Sequence, residues 1–342
     1  MTSSSTEAPE VPGEDLVSKF VRWVVIAIAV GSLIYLVASL WAGFDKIGEE
    51  LSSFKWSCFF IAIALTLVNY VLRFVKWHYF IRRLGVGIPW TENAWTFVSG
   101  FSMAISPGKA GEVLKSYVIR ARTGVPMATT IPAVITERLT DALGMLLLAA
   151  IGVTMHAADQ LHYVIIPTAV ALAGIGVLLH ERTSMALIGL IGKLPALQKI
   201  TPKLVEMYQA MRTCVAPVSL VWTIFLSFIA WGAECVAYQV IFDGLGVDAP
   251  LDICLFLYSF ATIAGSAVVP GGIGVADGAL GGGALHFMPY VTEGQAVASA
   301  MLVRIATMWF GVALGAFALL RVSGWLRSET GSDPEAEETP NS

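Results

Sequence analysis

The sequence predicts an all-α polytopic membrane protein: about six full spans plus two re-entrant helical hairpins, eight hydrophobic segments in all, arranged as an inverted repeat. Three observations predict it. Apolar residues fill 56% of the 342 positions and charged residues only 13%, against roughly 25% charged in a soluble domain. Mean hydropathy is +0.73, and the apolar residues gather in runs close to the about 20 residues that a spanning helix needs. Two of those runs are broken in the middle by Pro-Gly sequences.

Residues 1–18, rich in Ser, Glu and Pro, are expected to form a disordered cytoplasmic N-terminus. No short cationic stretch leads into a brief apolar one, so a cleaved secretory signal is not expected. The run 20–43, which follows Lys19 and overlaps Arg22, reads instead as a retained span. The next span is 57–80. The stretch 91–122 is interrupted by Ser106-Pro107-Gly108-Lys109-Ala110-Gly111-Glu112 and reads as the first re-entrant hairpin. Further spans are expected over 128–155, 162–180 and 216–241. The stretch 251–290, interrupted by Pro270-Gly271-Gly272-Ile273-Gly274, is the second hairpin, and 292–320 is the last span. Span, span, broken hairpin, then a span with a buried arginine thus occurs twice, once in a first membrane repeat over 19–156 and again over 157–322. Three crossings per half invert the second half against the first. An acidic cytoplasmic tail, 323–342, is expected to close the chain.

Positive charge sets the orientation, because Lys and Arg collect in cytoplasmic loops. With the N-terminus inside, the inner segments hold Arg82, Arg83, Lys109, Lys115, Arg120, Arg122, Arg182 and Lys193, while nothing from Tyr238 to Thr292 is positive. Both termini are therefore expected on the cytoplasmic side, with either hairpin crossed or uncrossed.

Glu137-Arg138-Leu139-Thr140-Asp141 carries three charges inside an apolar run. Each costs about 2.5–3.5 kcal/mol at a helix centre. Arg138 sits about 15 Å into its span at 1.5 Å per residue, too deep to snorkel easily. Glu137 and Asp141 share a helix face. These residues either lock two helices together or form a polar site facing a cavity. Arg304, deep in the last span, has no acid near it in sequence. Its counter-charge is expected from Glu234, from Asp277 or from a bound anion. Glu234 also fits a protonated buried carboxyl.

The two breaks, marked by Pro107, Gly108 and Gly111 and by Pro270, Gly271 and Gly274, are hinge or re-entrant positions. Unwound backbone at membrane depth survives only inside protein or beside a water-filled cavity. The half-helix after each break offers N–H groups and a positive dipole end to an anion. Lys109 and Glu112 belong to the first break, and Asp277 to the second. Alternatively the breaks are plain turns, with Lys115, Arg120 and Arg122 solvated at the inner interface. Arg73, Lys76, His78, Arg82 and Arg83 read as anchors beside an aromatic belt of Trp77 and Tyr79. Arg73 is the deepest of them and a candidate for binding.

The four cysteines form no C-x-x-C pair, and the histidines lack ligand spacing, so no metal and no cofactor is expected. No Walker, G-x-S-x-G, S-x-x-K or H-E-x-x-H motif occurs, so familiar ATPase and hydrolase chemistry has no support.

Arg73 with Lys76-Trp77, the stretch Pro107 to Lys115, Glu137-Arg138-Leu139-Thr140-Asp141 and Pro270-Gly271-Gly272-Ile273-Gly274 together resemble the lysylphosphatidylglycerol synthase transmembrane family, also called flippase-like, over about Val21 to Arg321. The resemblance implies lipid translocation or export across a bacterial inner (cytoplasmic) membrane. No soluble aminoacyl-transferase domain follows the last span, so lysyl-lipid synthesis by this polypeptide is not expected, and neither is enzymatic activity. The expected partners are a membrane lipid, an enzyme that makes that lipid and a second copy of the chain in a homodimer, with no nucleic acid. The expected cargo is a polar-headgroup lipid of phospholipid, lipid-linked saccharide or hopanoid type. It would be bound by Arg138, Arg304, Lys109, Glu112, Glu137, Asp141, Asp277, Glu234 and Arg73. The alternatives are a non-catalytic membrane partner of a lipid-modifying enzyme and an intramembrane transferase using Glu112, Glu137 or Asp277 as base.

Overall fold

A backbone surrounded by hydrocarbon must satisfy its N–H and C=O groups internally, and helices do this within one segment. The computed structural model describes residues 44–104, 113–156, 162–191, 193, 198, 201–268 and 270–330, and these form helices and the short turns between them, with no strand among them. The expected N-terminal segment 1–18, the span 20–43, the first break from Pro107 to Glu112 and the tail beyond 330 lie outside the described residues.

The described chain starts with α1 (Phe44–Ser53) and α2 (Trp56–Arg83). Next come α3 (Trp90–Ser99), extended by a 3-10 turn over Gly100–Met103, and α4 (Val113–Thr123). The 30-residue α5 (Met127–His156) leads to α6 (His162–Leu179), α7 (Glu181–Ile191) and α8 (Thr201–Cys214). Then come α9 (Pro217–Gly244), α10 (Leu251–Val268), a 3-10 turn at Pro270–Gly272, and α11 (Val275–Phe287). The chain continues through α12 (Glu293–Arg304), a π turn over Ile305–Trp309 and α13 (Phe310–Thr330).

Three of these are long and apolar enough to cross a membrane: α2, α9 and the continuous run Glu293–Ser323. A fourth span exists if Thr168–Val177 and Glu181–Leu190, bent by 85°, count as one. At about 1.5 Å per residue α5 is also long enough, and what sets it apart is its three interior charges. Between the expected spans 162–180 and 216–241 the described residues form two helices, α7 and α8. Helix α8 leans on α5, with Tyr208 and Cys214 buried and the Thr129 hydroxyl donating to Glu206 at 2.9 Å. The last helix also runs further than the sequence indicated, through Thr330, so the first residues of the expected 323–342 tail are helical. Neither Ser323 nor Gly324 interrupts it, because no proline follows until 334.

α2 and α9, each 28 residues long, pack antiparallel. The Lys55 N–H donates to the Gly244 carbonyl at 3.0 Å, Asn69 Nδ2 to the Ala230 carbonyl at 2.9 Å, and Lys76 Nζ to Ser227 Oγ at 2.7 Å. Both helices close with one turn. Leu84, Gly85 and Val86 donate to Phe80, Arg82 and Ile81, and Leu245, Gly246 and Val247 donate to Ile241, Asp243 and Phe242. Gly85 and Gly246 both have φ of 74°, the left-handed cap that glycine adopts without penalty. Pro89 and Pro250 then precede α3 and α10.

α10 and α11 form a helical hairpin. An added Cβ on Gly265 would stand 2.8 Å from Ala276 Cβ, and the Phe256 and Phe287 rings lie 5.4 Å apart. Gly271, Gly272 and Gly274 all take positive φ at the turn, which explains the glycines there. At 18 and 13 residues the two halves measure about 27 and 20 Å, below the about 30 Å hydrocarbon core. α5 approaches α9 and α10 closely. An added Cβ on Gly144 would come within 2.9 Å of Ser227 Cβ, and one on Gly152 would overlap the Asp252 carbonyl. Such small-residue contacts drive helix association where no hydrophobic force acts between helices.

Candidate functional site

Glu137 and Asp141, four residues apart on α5, face α2, where Arg73 and Lys76 stand three apart. The two rows interlock. Arg73 NH2 lies 3.4 Å from Glu137 Oε1, and Arg73 Nε lies 3.5 Å from Asp141 Oδ2. Lys76 Nζ pairs with Asp141 Oδ1 and also donates to Thr140 Oγ1 and Ser227 Oγ. From α4, Lys115 Nζ reaches Glu137 Oε2 at 2.5 Å, lying 4.2 Å from the centre of the Trp77 ring. Arg138 NH2 closes the cluster at 2.8 Å from Glu137 Oε1 and 3.5 Å from Asp141 Oδ2. Arg73, Lys76, Lys115, Glu137 and Asp141 are all buried. Buried charges are offset only by partners with good geometry and further hydrogen bonds. Here each has an ion-pair partner and Lys76 adds bonds to Thr140 and Ser227, while Arg73 Nε and Asp141 Oδ2, 3.5 Å apart, make no hydrogen bond.

Beside the cluster lies a cavity of about 150 Å³, polar enough and large enough to hold water. Arg73, Lys115, Arg138 and Arg304 line it, together with Glu234 and the aromatic rings of Tyr70, Phe97, Phe101, Trp231 and Tyr258. Arg73 lies 5.4 Å over both Phe101 and Trp231, an arrangement that holds a guanidinium by cation–π attraction. Arg304 enters from α12, with Nε 3.2 Å from Asp277 Oδ1 and NH2 donating to the Gly271 carbonyl at 2.5 Å. The carboxylate of Asp277 in turn accepts from the Gly274 N–H at 2.8 Å, capping α11. Glu234 Oε2 accepts from the Tyr258 hydroxyl at 2.7 Å.

This ionic cluster beside a cation-lined cavity is built on the motifs that carry the family resemblance. The profile of the lysylphosphatidylglycerol synthase transmembrane region matches residues 24–315. The chain belongs to this family. Two relatives are both described as UPF0104 membrane proteins. One, from Methanothermobacter thermautotrophicus, is 25% identical over 309 residues, covering 84% of this chain and 90% of its own. The other, from Pyrococcus horikoshii, is 23% identical over 326 residues, covering 86% and 96%.

In this member of the lysylphosphatidylglycerol synthase transmembrane family, Arg73, Arg138, Glu137, Asp141, Glu234, Asp277 and Arg304 come together in and around one cavity from five separate helices, α2, α5, α9, α11 and α12. Arg138 serves both roles open to it, since it pairs with Glu137 and also lines the cavity. Arg304 takes Asp277 as its counter-charge and not Glu234. Gly271 lines the cavity. Gly274 and Pro270 shape the turn beside it, while Pro107, Gly108, Lys109, Gly111 and Glu112 lie outside the described residues. At the second break the protein's own Asp277 occupies the helix start that was expected to face an anion.

Two lysines depart from expectation. Lys115, read as a solvated interface residue, is 3% exposed and pairs with Glu137, because α4 turns that face onto Trp77 and Phe97. Lys76, read as an anchor in an aromatic belt with Trp77, is fully buried, as is Trp77, whose indole donates to Asn93 Oδ1 at 2.9 Å. The spacing of Arg73 and Lys76 against Glu137 and Asp141 was the signal for Lys76. Arg120 is exposed, and Arg122 pairs with Glu92 at 2.9 Å.

Proposed function

We propose that the chain is a lipid flippase-like transporter of the bacterial inner membrane, with both termini cytoplasmic and no catalytic chemistry of its own. A polar headgroup of phospholipid, lipid-linked saccharide or hopanoid type passes through the cavity while its tails stay in the bilayer. One observation carries this reading: four basic side chains line a cavity of about 150 Å³ inside an apolar helical bundle, where each charge costs about 2.5–3.5 kcal/mol to keep. Holding helices together does not require the cations to border open space. Arg73, Arg138 and Arg304 offer planar N–H donors suited to the phosphate of a headgroup; the ionic cluster holds Arg73 and Arg138, and Asp277 holds Arg304. The lipid itself comes from a separate synthetic enzyme.

The same reading takes the two halves as inverted repeats packed around the cavity. The antiparallel packing of α2 on α9 supports it. So does the shared Leu-Gly-Val turn with its following proline, and so does the Asn69–Ala230 contact, whose 161-residue separation equals that of Gly85 from Gly246. Arg138 of α5 and Arg304 of α12 are counterparts in that scheme. The α10–α11 hairpin, whose turn borders the cavity at Gly271, is the element that rearranges to expose the site.

Headgroup translocation of labelled phosphatidylglycerol in reconstituted vesicles tests the reading. Losing one charge-assisted contact of about 1.5–3 kcal/mol slows Arg138→Ala and Arg304→Ala by about tenfold or more. Variants that move the headgroup as fast as the wild type sink the assignment.

A further inference from the structure

Counted back from the turns that close them, α2 and α9 place Tyr70 and Trp231 at one common position and Arg73 and Glu234 at another. All four line the cavity. At the second position one half supplies a cation and the other an acid, and their surroundings differ. Arg73 lies between two carboxylates, Glu137 and Asp141. Glu234 is buried on the middle of α9, accepts one hydrogen bond from Tyr258 and, among the described residues, forms no ion pair. The other three acids of the site are all salt-bridged: Glu137 to Lys115, Asp141 to Lys76 and Asp277 to Arg304. Glu234 can therefore take and lose a proton without breaking an ion pair.

The groups around it supply the two states. Tyr70 and Arg73 reach the cavity from α2, Lys115 from α4, Arg138 from α5, Tyr258 from α10 and Arg304 from α12. Asp141 stands behind Arg73, and Asp277 stands behind Arg304. With the cavity empty, the arginines favour ionised Glu234. With an anion among them, they are engaged and a second negative charge is repelled.

We infer that Glu234 is the proton-exchanging carboxyl of the headgroup site, protonated while an anionic headgroup occupies the cavity and ionised once it leaves, so that one proton travels with each anionic lipid. The proton comes from water on the loading side and returns to water on the release side, with no other bond made or broken. This rests on the headgroup reading above and adds to it the carboxyl that couples transport to protons.

Infrared spectra of the full chain in nanodiscs, titrated with pH, test it through the carbonyl band of a buried protonated carboxyl, which lies at higher frequency than that of the solvated surface acids. In phosphatidylcholine the band grows as pH falls. Replacing the lipid with phosphatidylglycerol moves its midpoint up by about one to two pH units, the size expected for a second negative charge several ångströms away. Glu234→Gln loses the band. Tyr258→Phe, which removes only the hydrogen bond, keeps the band and shifts its frequency. A band that survives in Glu234→Gln and is unmoved by Tyr258→Phe assigns the proton to another acid and overturns the inference. Native mass spectrometry of the same nanodisc samples separates two failures. Phosphatidylglycerol bound with the midpoint unmoved overturns the proton role alone, and phosphatidylglycerol not bound overturns the headgroup reading itself. In a further arm, inorganic phosphate is added to phosphatidylcholine nanodiscs. A shift with free phosphate and none with phosphatidylglycerol overturns the lipid as the source of the anion.

Discussion

Glu137→Gln is the most informative perturbation of the ionic cluster, because it keeps the side-chain shape and removes only the charge. Glu137 is wholly buried, and its carboxylate meets Lys115 at 2.5 Å, Arg138 at 2.8 Å and Arg73 at 3.4 Å. Glutamine leaves Lys115 without this anion and sets Asp141 alone against Arg73, Lys76 and Arg138. Breaking a buried ion pair by removing one partner costs about 3–5 kcal/mol, a large part of the about 5–15 kcal/mol that holds a typical protein folded. At about 2 °C per kcal/mol for a chain of this size, the midpoint of thermal unfolding falls by about 6–10 °C. The assay is built into the protein: Cys214, Cys235 and Cys254 are free and buried, so a thiol-reactive fluorophore reports unfolding in detergent. Lys115→Met alone loses a similar amount. The double variant Lys115→Met/Glu137→Gln loses less than the sum, since neither buried charge is then abandoned, and the coupling is about 1–3 kcal/mol. Arg120→Met, an exposed position on the same helix, melts with the wild type. A Glu137→Gln midpoint within about 2 °C of wild type, or strict additivity with Lys115→Met, refutes the cluster as described.

The remaining predictions concern close approach and the π turn, and the same melting assay checks them. Gly315→Ala forces a Cβ into the backbone of Ser102, so α13 must move off the 3-10 turn at Gly100–Met103. It costs about 1–3 kcal/mol or more, whereas Gly232→Ala, whose Cβ would lie 3.7 Å from Leu148, is neutral. Gly246→Ala places a side chain at φ of 74° and costs about 1–2 kcal/mol. Tyr70→Phe removes the 2.6 Å hydrogen bond to the Thr307 carbonyl, which lies in the π turn just after Arg304. It lowers stability by about 1 kcal/mol.

The positions of α2, α5, α9 and the α12–α13 run could be read from the sequence, because hydrocarbon thickness fixes the length of an apolar run and glycine and proline mark where it turns. Glu137, Arg138, Asp141 and Arg304 were equally visible as charges where charges are expensive. The shared Leu84-Gly85-Val86 and Leu245-Gly246-Val247 turns, each followed by proline, were also present in the sequence as a recurrence. Their equivalence took on meaning once identical hydrogen bonds and equal φ angles were seen in both.

The tertiary structure decided which charges belong to the site. A lysine near the end of an apolar run carries the same local signal whether it snorkels to water or is folded inward. Lys76 and Lys115 were folded inward because their faces of α2 and α4 meet α5, a contact between segments about 60 and 20 residues apart. The choice of Asp277 over Glu234 as the partner of Arg304 is of the same kind. It depends on how the α10–α11 hairpin returns against α12, and no local preference encodes that. By itself the sequence determined that this protein lives in a membrane and spends energy on buried charge. Packing between distant helices determined that those charges form one cluster beside one cavity and left Glu234, among the described acids in and around that cavity, without an ion pair, because partners in hydrocarbon are chosen by where helices touch.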